Sequence, residues 1–442
     1  MHIKIPDAPY AILERLNRCG FEAYAVGGCV RDSLLCKKPD DWDITTNALP
    51  EQIKQCFAGY RIVETGLKHG TVTVIYENTP YEITTYRTDG EYSDGRHPDK
   101  VSFGASLVED LARRDFTINA IAADVNGRLC DPFAGVQAVA DRVIRCVGEP
   151  DKRFREDALR MLRALRFASQ LGFMIDAGTS AAIHANKELL HKVSAERIAQ
   201  EFTAILCGQD VYAVLMEYSD VLAVFIPEIA DCVGFVQNSP YHCHDVYRHI
   251  AVSVDNAPPQ PLLRLTMFLH DIGKPQCYSV DTAGNGHFYG HNKVSSSIAQ
   301  EVLTRLRFPN KFISDVVTLV KYHDLPLQGT SKFVLRMLNK IGEDGFRNLL
   351  AVHKADCAAQ SAIGQQEQQA LIEQAEVALE EALQQQQAFS LRDLAVCGRD
   401  IMALGIEPGK RVGELLDLAL DEVMNGLPNE KTAILAYLRQ QI

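Results

Sequence analysis

Asp41-Trp42-Asp43 is the first segment whose residue types and spacing suit chemistry. In an extended backbone residues i and i+2 share a face, so the run on a strand projects two carboxylates together. Paired carboxylates hold Mg²⁺, an ion that combines a few of them with the oxygens of a bound phosphate. Two such ions activate an attacking hydroxyl and stabilise a leaving pyrophosphate. A solvated acidic turn would read the same way, since Asp40 is acidic too. The metal reading gains from Val26-Gly27-Gly28-Cys29-Val30-Arg31-Asp32 upstream. There two glycines let backbone N–H groups approach phosphate oxygens, and Arg31 adds charge.

Arg113-Arg114-Asp115-Phe116-Thr117-Ile118-Asn119 gathers two cations, a carboxylate and an amide. Arginines suit triphosphate oxygens, while Asp115 and Asn119 suit ribose hydroxyls. Asp115 fits equally well as the N-cap of a helix start. Further on, Glu156 to Arg166 reads as one helix with Asp157, Arg160 and Arg163 at successive i+3 steps, a single polar stripe. Asp157 only accepts hydrogen bonds and Arg160 only donates. The pair therefore matches cytosine and adenine, which present an amino donor beside a ring-nitrogen acceptor, and mismatches uracil and guanine. An ordinary exposed ion pair has the same spacing.

The second half of the chain carries His249, Leu269-His270-Asp271-Ile272-Gly273-Lys274, His291, His323-Asp324 and Asp356. A His-Asp doublet on an apolar helix is costly to bury unless a metal or a hydrogen-bond partner satisfies it.

The elements that must position these groups differ between the two halves. Thr71 to Tyr76 and Tyr81 to Arg87 are β-branched and aromatic runs that predict an antiparallel hairpin turning through Asn78-Thr79-Pro80. Arg87 to Pro98 is polar and glycine-containing and reads as a mobile loop. After about Asp151 the apolar spacing becomes helical almost to the end, and Gln365 to Gln387 reads as an exposed helix. The fold class is α+β first and all-α afterwards.

With 442 residues the chain has enough material for several domains. Lys and Arg number 45 against 57 Asp and Glu, giving a net charge of −12 that excludes a uniformly basic nucleic-acid surface. The basic excess is local: residues 151–200 carry nine Lys/Arg against six Asp/Glu, and residues 201–250 one against seven. Twelve cysteines without a CxxC predict reduced thiols. The absence of an apolar span or a signal-like start points to the cytoplasm.

Five ordered motifs carry a family resemblance over residues 24–202. They are Gly27 to Asp32 with Asp41 to Asp43, Arg113 to Asn119, Asp131-Pro132-Phe133-Ala134-Gly135, Glu156 to Arg160, and Ala195-Glu196-Arg197-Ile198-Ala199-Gln200-Glu201-Phe202. The segment resembles the head and neck of class II CCA-adding tRNA nucleotidyltransferases and bacterial poly(A) polymerases. The resemblance implies a polymerase-beta-like head with a mixed or antiparallel sheet, then an all-α neck. It implies that Asp41 and Asp43 hold catalytic Mg²⁺, with Glu82 a candidate third carboxylate. Gly28 and Arg31 would bind the triphosphate, Arg114 would join the nucleotide site, and Asp157, Arg160, Arg163 and Arg166 would read the base and contact phosphate. Arg87 is carried with the loop, a type needed in the family to switch from C to A addition. Its presence implies complete CCA addition to tRNA from CTP and ATP; A-only addition or polyadenylation is the alternative.

The order His, His-Asp, His, Asp resembles the HD phosphohydrolase superfamily. That resemblance implies His249, His270, Asp271 and Asp356 as ligands of a second divalent metal. His291 and His323 would take phosphate or another metal, and phosphate-ester hydrolysis at damaged RNA ends would follow. Lys274 reads either as a phosphate ligand or as a solvated helix-end lysine. The expected domains are a head over 1–145, a neck over 146–235, an HD domain over 236–360 and a helical tail over 361–442. Bifunctional protein uridylyltransferases also join these two activities, but they are longer, and the Asp157/Arg160 pair suits UTP badly.

Overall fold

Val72 and Val74 on one strand, and Tyr81, Ile83 and Thr85 on the next, alternate as buried residues with more exposed neighbours, the period of two that a sheet with one buried face requires. The computed structural model describes residues 2–64, 66–67, 70–90, 101–385 and 387–442. It falls into two compact units, Met1–Pro227 and Glu228–Ile442.

The first unit is built on a seven-stranded sheet. In spatial order its strands are Arg61–Val63, Thr71–Tyr76, Thr79–Thr85, Ile44–Thr46, Ala23–Val26, Ala122–Ala123 and Leu129–Cys130. Only Ile44–Thr46 against Thr79–Thr85 is parallel; the other pairs are antiparallel. The expected hairpin forms, with its turn at Glu77-Asn78 instead of Asn78-Thr79-Pro80. Both turn residues have positive φ, 49° and 62°, the backbone of a two-residue hairpin whose twist matches its strands. Thr79 and Pro80 accordingly belong to the strand.

Two other expectations are corrected. Asp41 and Asp43 precede the strand Ile44–Thr46 as extended backbone outside it. The alternation still holds, because Trp42 and Ile44 are buried while Asp41 is exposed. The helix read through Glu156–Arg166 is broken: Pro150–Glu156 and Leu159–Leu171 are separate helices, and Asp157 between them is extended at φ −146°. Its Oδ1 accepts the Leu159 N–H at 3.1 Å, the local side-chain bond by which Asp starts a helix. Leu159–Leu171 buries Leu162 and Leu165 completely, each worth about 1.5–3 kcal/mol. It ends at Gly172 with φ 68°, the left-handed cap that glycine adopts without strain.

Arg87–Asp89 is a strand paired with Val101–Phe103, so the loop reading fails for its first residues; 91–98 lie outside the described residues. The second unit is almost wholly helical, apart from the small hairpin Ser279–Val280 and Gly286–His287. The Gln-rich stretch forms the expected helix, Ala362–Gln384. All twelve cysteines are free, and among the described residues no helix is long and apolar enough to cross a membrane.

Candidate active sites

In the first unit the sheet register brings the acidic residues together. Ile44 pairs with Ile83 in parallel, which makes Asp43 and Glu82 the preceding neighbours on adjacent strands. Burial, and then the charges of Asp41 and Glu82, push the Asp43 carboxyl up to about 6, with Arg114 opposing them. All-oxygen donors are what Mg²⁺ takes, although among the described residues these three carboxylates are not drawn as tightly together as the histidine-aspartate groups of the second unit. Asp41, Asp43 and Glu82 therefore fit the ion that the sequence implied.

Gly27 begins the neighbouring helix Gly28–Leu34 with φ 83°. A Cβ there would lie 3.1 Å from Arg114 Nη1, so any side chain would also press on that guanidinium. Arg114 is half-buried, with Nη2 3.5 Å from Asp110 Oδ2, and desolvation lowers its pKa despite the Asp110 and Asp43 carboxylates.

A relay of polar contacts runs from this turn into the helix Leu159–Leu171. Arg31 Nη1 donates to Asn119 Oδ1 at 2.7 Å, Asn119 Nδ2 donates to Asp115 Oδ1 at 3.2 Å, and Arg163 Nε donates to Asp115 Oδ2 at 2.8 Å. Beyond it, Arg166 Nε donates to Glu201 Oε2 at 2.6 Å. The N-cap reading of Asp115 is not realised: its carboxylate takes the Phe116 N–H together with Asn119 and Arg163, and the short helix Thr117–Asn119 has no side-chain cap. Burial alone would raise the Asp115 pKa, but the Arg163 charge and these hydrogen bonds hold it down to about 2. Sequence reasoning missed Phe167. Its ring, 5% exposed, has Arg31, Arg163 and Arg166 guanidinium carbons at 5.2, 5.5 and 4.3 Å from its centroid.

Asp157 and Arg160 do not pair with each other. Arg197 grips Asp157 in a fork, Nη2 to Oδ2 at 2.7 Å and Nη1 to Oδ1 at 3.3 Å, while Arg160 Nη1 donates to Glu156 Oε2 at 2.7 Å and Nη2 to the Arg113 carbonyl at 3.2 Å. The stripe fails because the backbone turns at Asp157. Arg197, quoted in the fifth motif without a role, is what fixes that carboxylate. A cavity of about 990 Å³ opens against Arg113, Arg153, Arg155 and Glu156. It lies beside Arg160's partners and does not include Asp41 or Asp43, so cavity size alone does not mark the metal ligands.

In the second unit His249, His270, Asp271 and Asp356 converge, and Asp271 also joins His291 and His323. Each imidazole is aimed the same way: Nδ1 faces a backbone carbonyl, of Ala359, Met267, Phe288 and Val320 for His249, His270, His291 and His323. A carbonyl only accepts, so Nδ1 carries a proton and Nε2 is the nitrogen turned inward. His249 and His270 Nε2 lie 3.3 and 3.2 Å from Asp271 Oδ2, and His291 and His323 Nε2 lie 3.3 and 3.4 Å from Oδ1. Oδ1 is buried and, among the described residues, has no hydrogen-bond donor. An imidazole nitrogen turned on a carboxylate oxygen needs a proton or a metal ion between the two, and imidazole with carboxylate is a transition-metal donor set. Asp271 thus bridges two groups that each fit a divalent ion.

Lys274 is not solvated. It is 4% exposed, with Nζ 2.6 Å from Asp271 Oδ2 and donating to Gln237 Oε1 at 2.9 Å. Gln360, also missed in sequence, donates to Asp356 Oδ2 at 2.8 Å.

Comparison with known proteins adds independent findings. Residues 23–145 match the poly A polymerase head domain, 172–233 a probable RNA- and SrmB-binding site of polymerase A, and 288–438 a putative tRNA nucleotidyltransferase domain 2. A CCA-adding enzyme of Levilactobacillus brevis is 37% identical over 426 residues, 96% of this chain and 95% of that protein. One from Geobacillus thermodenitrificans is 50% identical over 221 residues, 50% of this chain; the match spans only 54% of that relative. The crystal structure of the Bacillus stearothermophilus CCA-adding enzyme in complex with CTP superposes with a TM-score of 0.74 at 30% identity, covering 98% of this chain and 96% of that one.

Proposed function

We propose that this chain, which belongs to the CCA-adding enzyme family, adds CCA to the 3′ end of tRNA from CTP and ATP without a nucleic-acid template. The observation that carries the reading is the acidic cluster of Asp41, Asp43 and Glu82, set by the register Ile44↔Ile83 beside Arg114 and the Gly27 turn. The CTP bound by the similar Bacillus stearothermophilus enzyme supports CTP as a substrate.

Asp41 and Asp43, with Glu82 as third carboxylate, would hold Mg²⁺, which when bound supplies charge for the attacking hydroxyl and the leaving pyrophosphate. Arg31 and Arg114, both close to the Gly27-Gly28 turn, attract the triphosphate. Asp115 and Asn119 keep Arg31 and Arg163 in place, and in this reading they would also take ribose hydroxyls. Asp157 and Arg160 offer an acceptor and a donor to the base edge once Asp157 is held by Arg197 and Arg160 by Glu156. Arg163 and Arg166 extend the positive track in the basic stretch 151–200. Most of the rate then comes from positioning and charge. The site of action in this reading is the cytoplasm.

The test is incubation with Mg²⁺, labelled CTP, ATP, UTP or GTP, and tRNA lacking its 3′ end. Two CMP followed by one AMP is expected. AMP alone would replace this reading with A-only addition or polyadenylation, and failure to add CMP would overturn it.

A second reading rests on a separate observation, the buried Asp271 carboxylate between two sets of inward-facing imidazoles, its Oδ2 toward His249 and His270 and its Oδ1 toward His291 and His323. It is an HD-type metal-dependent phosphohydrolase that clears terminal or 2′,3′-cyclic phosphates from RNA ends. His249, His270, Asp271 and Asp356 would hold one divalent ion, and Asp271, His291 and His323 another; bound ions supply activated water and neutralise phosphate charge. Lys274 and Gln360 orient the two carboxylates. Release of phosphate from a 3′-phosphorylated or cyclic-ended RNA, lost in Asp271→Ala, is expected; an inert wild-type chain supplied with Mn²⁺, Ni²⁺ or Co²⁺ would count against it.

A further inference from the structure

The histidine-aspartate cavity, about 280 Å³, has two unlike ends. Its floor is Asp271, His291, His323 and Asp356, with Lys274 beside them; its lip is aromatic, formed by His287, Phe288 and Tyr289. Tyr289 is 77% exposed. A lone exposed tyrosine would need no explanation, but this one is fixed. Its ring stacks on His287, centroids 5.2 Å apart and planes within 10°. His287 is in turn tied through Nε2 to Asp281 Oδ2 at 3.0 Å. Asp281 also accepts the N–H groups of Ala283 and Asn285, closing the hairpin turn from which the lip is built. One face of Tyr289 is backed by an aromatic ring and the other is open. Two residues later, across Gly290 at φ 77°, comes His291 in the ligand set. Two residues of backbone span at most about 7 Å, roughly the sugar that separates a nucleotide's phosphate from its base.

We propose that Tyr289, backed by His287, is a base-stacking platform, so that the second site takes a phosphorylated nucleotide in preference to a base-free phosphate ester. The proposal rests on the phosphohydrolase reading for the role of the cavity floor. Every base has a π-face, so such a platform selects for nucleotides while tolerating any sequence. His287 keeps the tyrosine from collapsing onto the cavity, and Lys274, held over the Phe288 ring at 5.3 Å, keeps the phosphate end positive. The source of the nucleotide, free or at an RNA end, is separable by experiment.

The test uses the full chain and 2-aminopurine riboside 3′-monophosphate as probe, free or at the end of a short single-stranded RNA, and the part of the signal that depends on Tyr289 reports the second site. Stacking quenches 2-aminopurine fluorescence. Quenching by wild type is expected, with about tenfold weaker binding for Tyr289→Ala, near-normal binding for Tyr289→Phe, and unchanged competition by ribose 5-phosphate in both variants. Quenching of the free probe assigns free nucleotides; quenching of the RNA-borne probe alone assigns RNA ends. Equal binding by Tyr289→Ala and wild type, or an equal loss for ribose 5-phosphate, overturns the platform. Equilibrium dialysis with Mn²⁺ separates the two readings. A chain that holds no Mn²⁺ but still stacks the probe through Tyr289 loses the hydrolase and keeps the platform. One that holds Mn²⁺ while Tyr289→Ala stacks normally loses only the platform.

Discussion

Arg163 and Asp115 meet across 48 residues of sequence, with both Nε and Nη2 of the guanidinium bonded to Oδ2, at 2.8 and 2.7 Å. The pair ties the helix Leu159–Leu171 to the segment that carries Asn119 and, through it, Arg31. The folded pKa of Asp115, about 2, lies below its ordinary 3.8, so its ionised form stabilises the fold. That contribution, about 2 kcal/mol, is complete above about pH 4 to 5 and is lost as pH falls toward 2. Urea unfolding across this range should show Asp115→Asn less stable at neutral pH by about that amount, with a shallower acid limb. An acid limb identical to wild type would contradict the pairing.

Asp157 depends on Arg197, which grips both of its oxygens. Removing the guanidinium leaves, among the described residues, only the Leu159 N–H to hold the carboxylate, which in the proposed reading meets a base edge. Arg197→Ala is expected to lower kcat/KM for CTP and ATP alike, and Asp157→Ala to do the same. The double variant should be no worse than Asp157→Ala, since residues acting as a unit are non-additive, with about 1–3 kcal/mol of coupling. Fully additive losses would mean that the two act separately.

Phe167 shares its ring among three arginines. Cation–π contacts contribute about 0.5–1 kcal/mol each at exposed sites, and the ring also limits how far the guanidiniums move. Phe167→Leu preserves an apolar side chain and removes the π-face. The expected result is a severalfold rise in KM for nucleoside triphosphate with kcat little changed, measured by steady-state incorporation into truncated tRNA. A fall in kcat alone would assign Phe167 to core packing.

Much of this was legible in sequence wherever a local period or a short motif carried it. The hairpin followed from alternation, the helices of the second unit from 3.6-residue spacing, and the His-Asp set from residue type and order. What escaped depended on the chain folding back. Nothing local to Asp157 marks Arg197, forty residues on, as its partner, and helical periodicity across Glu156–Arg166 concealed an aspartate that bonds its own following backbone and ends one helix to begin another. Lys274 was ambiguous because a helix-end lysine is ordinarily solvated; only the buried Asp271 at 2.6 Å decides otherwise. Nothing local marks Phe167, a core residue at 5% exposure, because the arginines around it come from two separate segments.

Asp271 belongs to both ligand groups of the second unit, whereas Asp356 serves only one and His323 only the other. Loss of a shared ligand should therefore empty both positions, and loss of an unshared ligand should empty one. Co²⁺ is the suitable reporter, because imidazole-containing sets favour it over an all-carboxylate set such as Asp41 and Asp43, and its visible spectrum reports coordination without any assay of activity. After dialysis, wild type is expected to keep two Co²⁺ per chain, Asp356→Ala and His323→Ala one each with different spectra, and Asp271→Ala none. Removal of Asp271 also leaves Lys274 buried without its carboxylate, a cost of about 3–5 kcal/mol when one partner of a buried pair is deleted. Asp271→Asn keeps a hydrogen-bond acceptor for Lys274 though not the charge, so it is expected to be less destabilised than Asp271→Ala, to unfold cooperatively and to lose metal. Retention of one Co²⁺ by a folded Asp271→Asn chain would show that the two groups do not share this carboxylate.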